Sequence, residues 1–126
     1  KGNPTYGLST SWVRNVKVSS SGATISDRSV QLGIEGQYGY ERSTSSFIQA
    51  TNDGGVVVLA TGIPQNELTR HADVWLLKFK SNGTEEWRKL FGTNGYDLGF
   101  AVRQTKDGKY AMIFRTADPL TLASYI

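Results

Sequence analysis

Two acids stand at matching places in this chain. Glu41 closes Gly36-Gln37-Tyr38-Gly39-Tyr40-Glu41, and Asp97 closes Gly92-Thr93-Asn94-Gly95-Tyr96-Asp97. Two carboxylates about 5 to 9.5 Å apart can hydrolyse a glycosidic bond, one protonating the leaving oxygen and the other serving as nucleophile or base. Acids in turns also have a plainer duty, which is to accept hydrogen bonds from the backbone they close. Equivalent positions of two repeats need not meet in space, so turn bracing is the stronger reading for both acids. The tyrosines beside them make better ligand contacts, because an aromatic ring offers an apolar face and a polar tip together. Tyr40, Glu41, Tyr96 and Asp97 are therefore the candidate ligand-binding residues, and no residue is assigned a catalytic role.

The remaining chemistry is sparse. His71 is the only histidine and cysteine is absent, so neither a histidine-based triad with a second base nor a common zinc set can be assembled. The acids form no dense Asp-x-Asp-x-Asp run of the kind that cages calcium. We expect no metal and no cofactor. Asp53 and Asp107 stand in Asp-Gly pairs, a strong hairpin signal. Trp12, Trp75 and Trp87 could stack on sugars, but their repeat spacing argues otherwise, and Trp75 and Trp87, within strands on either side of one hairpin, are assigned to packing. Asn82-Gly83-Thr84 is formally a glycosylation sequon, although Asn-Gly is already explained by a turn. Gly33, Gly36 and Gly39 precede no helix, which removes a phosphate-cradling loop from consideration.

The elements that must hold these residues read as strands. Fourteen glycines and fourteen aromatics (three Trp, six Tyr, five Phe) with three prolines in 126 residues suit short strands and tight turns. In the second half, Asp73 to Lys80 runs to the turn Ser81-Asn82-Gly83, and Glu85 to Phe91 runs to Gly92-Thr93-Asn94-Gly95. Strands over about Gly99 to Thr105 and Lys109 to Arg115 then flank Asp107-Gly108. The first half repeats the plan, with Trp12 to Val18, Val30 to Ile34, Phe47 to Thr51 and Gly55 to Ala60 between corresponding turns. Each half is expected to be one four-stranded antiparallel meander, giving a single all-β domain over 1–126 with repeats at about 12–61 and 73–116. Segments 1–11, 63–72 and 120–126 fall outside this plan.

The second copy resembles the repeats of secreted bacterial and archaeal β-propeller proteins. The resemblance rests on Asp73, Trp75, Lys78-Phe79, Gly83, Trp87, Phe91-Gly92-Thr93, Asp97, Ala101-Val102, Asp107-Gly108, Tyr110 and Thr116. It is good over 73–116 and fair over 12–61, where the leading Asp is replaced by Thr10 or Ser11 and the position opposite Trp87 falls near Gln31. It implies propeller blades of an extracellular or cell-surface protein, and it brings no catalytic residues. Two blades do not close a ring of the four to eight that propellers use. Further blades or further copies of the chain must complete it, or else the eight strands form a two-sheet sandwich or barrel.

These readings favour a non-catalytic binding or interaction module, lectin-like in its most concrete form. The competing classes are a glycan-acting hydrolase using paired carboxylates and a purely structural propeller segment. Carbohydrate or another protein is the expected partner, with the chain a homo-oligomer or part of a longer protein. Nucleic acid is not expected, because a net charge of +3 is mild and its basic residues are spread along the chain. No run reaches the roughly 20 apolar residues a membrane helix needs.

Overall fold

Alternating apolar and polar residues between tight turns build eight strands in the computed structural model. It describes residues 9–35, 46–62, 72–93 and 95–117. The strands are β1 (Ser9–Val18), β2 (Thr24–Glu35), β3 (Ser46–Ala50), β4 (Val56–Gly62), β5 (Asp73–Phe79), β6 (Glu85–Phe91), β7 (Tyr96–Gln104) and β8 (Tyr110–Ala117). No helix occurs among the described residues. All strand pairings are antiparallel.

One turn design serves all four hairpins. Gly22, Gly54, Gly83 and Gly108 have φ of 88°, 82°, 86° and 82°, a left-handed conformation that glycine adopts without steric cost. Each donates its N–H to the carbonyl three residues earlier, at Ser19, Thr51, Lys80 and Thr105. Side chains reinforce the turns: Asn82 Oδ1 accepts from Thr84 N (3.1 Å) and Thr84 Oγ1 (2.7 Å), so the sequon asparagine is a turn brace.

The strands group differently from the expected meanders. Instead of β1–β4 and β5–β8, the sheets are β1-β2, β3-β4-β5-β6 and β7-β8. The complete four-stranded sheet thus takes the last half of one repeat and the first half of the next. The turn between β6 and β7 separates sheets, whereas the longer connection between β4 and β5 joins neighbours.

The repeat itself is sharper in three dimensions. Hairpin β1–β2 has a register shift between Lys17 and Val18, and β5–β6 has one between Lys78 and Phe79. These bulges align the two hairpins with a shift of 61 residues (Gly22 to Gly83), placing Arg14 opposite Trp75 and Ser26 opposite Trp87. Motif matching sets Trp12 against Trp75 and Gln31 near Trp87, but the bulge falls at the same place in both hairpins, so a single shift of 61 runs through them and neither match holds. Hairpins β3–β4 and β7–β8 align with a shift of 54 residues (Gly54 to Gly108), again with matching partners: Ala50↔Val56 and Gln104↔Tyr110.

The three sheets stack in layers with the complete one in the middle. On one face Val58, Ala60, Leu77 and Phe79 bury against Leu32, with Val13 and Val30 of the first hairpin. On the other, Val57, Leu59, Val74 and Leu76 bury against Val102, with Tyr110, Met112 and Phe114 of the last. Central strands covered on both sides read as continuous apolar runs, which is why Val56–Ala60 and Val74–Leu77 do not alternate. Trp75 and Trp87 pack on opposite faces, Trp87 meeting Tyr110 edge-on at 5.5 Å. Each buried Leu, Val or Phe contributes about 1.5–3 kcal/mol.

The layers follow one rule. By the shift of 54, Tyr110, Met112 and Phe114 are the counterparts of Val56, Val58 and Ala60. The third layer therefore presents to the second the same face that the second presents to the first. No sheet closes on itself among the described residues.

Candidate functional site

The antiparallel order puts β-turns at one end of the stack and the longer connections at the other. Gly99 N–H donates to Thr61 Oγ1 (3.0 Å) and Asp97 N–H to Ala72 O (2.9 Å), so the start of β7 lies beside the end of β4 and the start of β5. The end of β2 approaches the same place, with Leu32 3.9 Å from the site a Gly62 Cβ would occupy. This end carries the described half of the candidate site.

Asp97 is 1% exposed. Its Oδ2 accepts from Thr93 N–H (2.7 Å), while the Thr93 hydroxyl donates to the same carboxylate at 3.1 Å and itself accepts from Gly95 N–H (3.1 Å). The carboxylate is occupied by the loop Phe91-Gly92-Thr93…Asp97 and fixes its path from the second layer to the third. Gly92 is required in this loop, because an added Cβ would lie 2.3 Å from the Asp73 carboxyl carbon. Asp73, Gly92, Thr93 and Asp97 thus form one structural joint, a physical reason for four of the residues that carry the propeller resemblance.

Tyr96 projects from this joint with 45% of its surface exposed. It offers the aromatic platform expected of a ligand contact, and Asp97 sets the backbone from which it projects. Tyr40 and Glu41 lie outside the described residues, as do Tyr38 and His71.

A second polar cluster sits at the opposite end and was not singled out from the sequence. Lys78 is 2% exposed, and its Nζ contacts Asp53 Oδ2 (2.9 Å), Phe79 O (2.9 Å) and Glu86 Oε2 (3.4 Å). Burial acts to lower the Lys78 pKa, but hydrogen bonds and charge from Asp53 and Glu86 outweigh it and raise the value. Asp53 accepts from Thr51 Oγ1, Lys78 Nζ and Gly55 N–H, which hold its carboxyl far below the usual range. The pair ties the β3–β4 turn to β5. Gly55 allows it, since a Cβ there would meet Phe79 O at 2.1 Å and Lys78 Nζ at 2.7 Å.

No group of three or more His, Asp or Glu side chains suited to a metal occurs among the described residues, and no described helix is long and apolar enough to cross a membrane. A groove of about 380 Å³ runs between β1 and the β3–β4 face, where Val13, Asn15, Val16, Phe47, Ile48 and Val58 line it. A smaller hollow of about 100 Å³ continues it past Lys17 toward Ser81 and Gly83. A scan against protein-family models, a search of curated proteins and a search of solved structures each returned no match.

Proposed function

We propose that this chain is a non-catalytic binding or interaction module of an extracellular or cell-surface protein, in which the sheets act as propeller-like blades and the loop end holds carbohydrate. The observation that carries this reading is the layered stack, in which each sheet covers its predecessor with the same face. A succession of that kind has no intrinsic end, whereas two faces turned toward each other would complete a sandwich. It gathers the β6–β7 loop and the exits of β2 and β4 at one end, the setting in which propellers and other rigid β scaffolds present ligand contacts. The engagement of Asp97 with Thr93 favours binding over acid–base chemistry there, because a buried, hydrogen-bonded carboxylate is not open to a substrate. Tyr96 is the described residue that would stack on a sugar ring.

Glycan-array screening followed by titration tests this reading. Tyr96→Ala is expected to weaken binding by about tenfold or more, equivalent to about 1.4 kcal/mol, with the far-ultraviolet circular dichroism unchanged. No binding of any glycan at millimolar concentration would remove the carbohydrate assignment.

A further inference from the structure

The two outer layers are half-sheets. Among the described residues β1 pairs only with β2, and β8 only with β7. Each has the edge whose counterpart is used in the complete sheet, where β4 pairs with β5 from Val56↔Phe79 to Gly62↔Asp73. The shifts of 54 and 61 convert that internal pairing into another: β8 is the counterpart of β4, and β1 of β5. We infer that β8 of one copy of this chain pairs antiparallel with β1 of a second copy, joining β7-β8 and β1-β2 into a four-stranded sheet like β3-β4-β5-β6. This rests on the propeller-like part of the proposed function and not on the carbohydrate.

The transferred register is specific. Ala111 of the first copy falls opposite Lys17 of the second, Met112 opposite Val16, Ile113 opposite Asn15 and Phe114 opposite Arg14. Several large exposed apolar side chains stand where this pairing would cover them. Ile113 is 68% exposed, although its counterpart Leu59 is fully buried, and Ile48, which faces the groove, is 64% exposed. In the second copy, the incoming hairpin occupies the groove beside β1 and places Ile113 on the face that holds Ile48 and Val58. Trp12 (57% exposed), Val16 and Val18 lie on the opposite face of β1 and turn toward the first copy's central sheet.

Charge agrees with the same register. The counterpart of the Lys78–Asp53 pair is Lys17 of one copy with Asp107 of the other. Among the described residues of one chain, Lys17 makes a long contact of 3.4 Å to Ser81 O, and Asp107 faces Lys109 at 3.3 Å. One position departs from the template. Lys109 stands where Gly55 admits the Phe79 carbonyl and the Lys78 ammonium, so the intermolecular ladder starts at Ala111 rather than one residue earlier. Lys17 and Asp107 attract across that end without the close geometry of Lys78 and Asp53. Because the two edges are different surfaces, the contact is heterologous and builds a ring or an open chain.

The natural absence of cysteine permits a direct test. Lys17→Cys and Ala111→Cys, both at exposed positions, are made as separate variants and co-expressed, then oxidised mildly. Directly opposed strand residues have the Cα separation a disulfide accepts. A covalent dimer should form between the two variants, with neither variant alone forming one, while Lys17→Cys with Arg103→Cys stays unlinked. Ile113→Asp in the Ala111→Cys chain should suppress the product at least about tenfold without loss of strand signal. Absence of the mixed dimer, or equal linking by each variant alone, overturns the pairing. Glycan binding with no cross-link would sink the edge pairing alone, and a cross-link without glycan binding would sink only the carbohydrate assignment.

Discussion

Two acids of this chain, Asp97 and Asp53, hold its backbone. Asp97 closes its loop through Thr93, and Asp53 closes the β3–β4 turn while gripping the buried Lys78. The consequence for pH follows from the lowered Asp53 pKa. A carboxyl whose folded pKa lies below the unfolded value of about 3.9 contributes stability above that value, and the contribution disappears as pH falls toward the folded pKa. Chemical denaturation should therefore show stability declining as pH drops below about 4. Asp53→Asn should be less stable at pH 7 and should lose less on acidification; equal acid sensitivity of the two proteins would contradict the role given to Asp53. Asp53 was legible in the sequence as a turn residue from Asp53-Gly54, but its ion pair was not, because Lys78 lies 25 residues away inside an apolar run and only the fold brings them together. Tyr96 and Asp97 were legible as neighbours of a turn, while the opposite fates of the two side chains, one exposed and one buried, depend on which way β7 leaves its loop.

At the scale of elements, the eight strands and four glycine turns could be read from residue types, since Asp-Gly, Asn-Gly and Ser-Gly signals need only local geometry. Their grouping into sheets could not. The short β6–β7 connection suggests neighbouring strands, yet the Asp73–Gly92–Thr93–Asp97 joint carries the chain into the next layer. The polar stretch after β4 suggests separation, yet β5 returns to pair with β4 along its whole length. Layer contact depends on close approach at Gly99, where an added Cβ would sit 2.9 Å from the Leu59 side chain. Leu59→Ala should cost about 2–5 kcal/mol, and Gly99→Ala should be destabilising by overpacking. The double variant should be more stable than the sum of the two losses predicts, because the new methyl enters the space that Leu59 leaves. Additive losses in urea denaturation would show that the two layers do not meet at this contact.

For the molecule as a whole, the stack of half-sheet, full sheet and half-sheet is what an internal repeat gives when its sheet boundary falls in mid-repeat. The repeat was visible in the sequence, but that offset was not, because it depends on which strand edges meet. The offset leaves β1 and β8 as complementary edges among the described residues, with Ile48 and Ile113 exposed. Exposed strand edges attract further strands, and here the internal β4–β5 ladder specifies the match. The most direct test is the native mass by light scattering coupled to size exclusion, measured for the 13.8 kDa chain and for Ile113→Asp. Head-to-tail assembly predicts a particle of several chains that falls to one chain in the variant; a single-chain mass for the unmodified protein at micromolar concentration would contradict it.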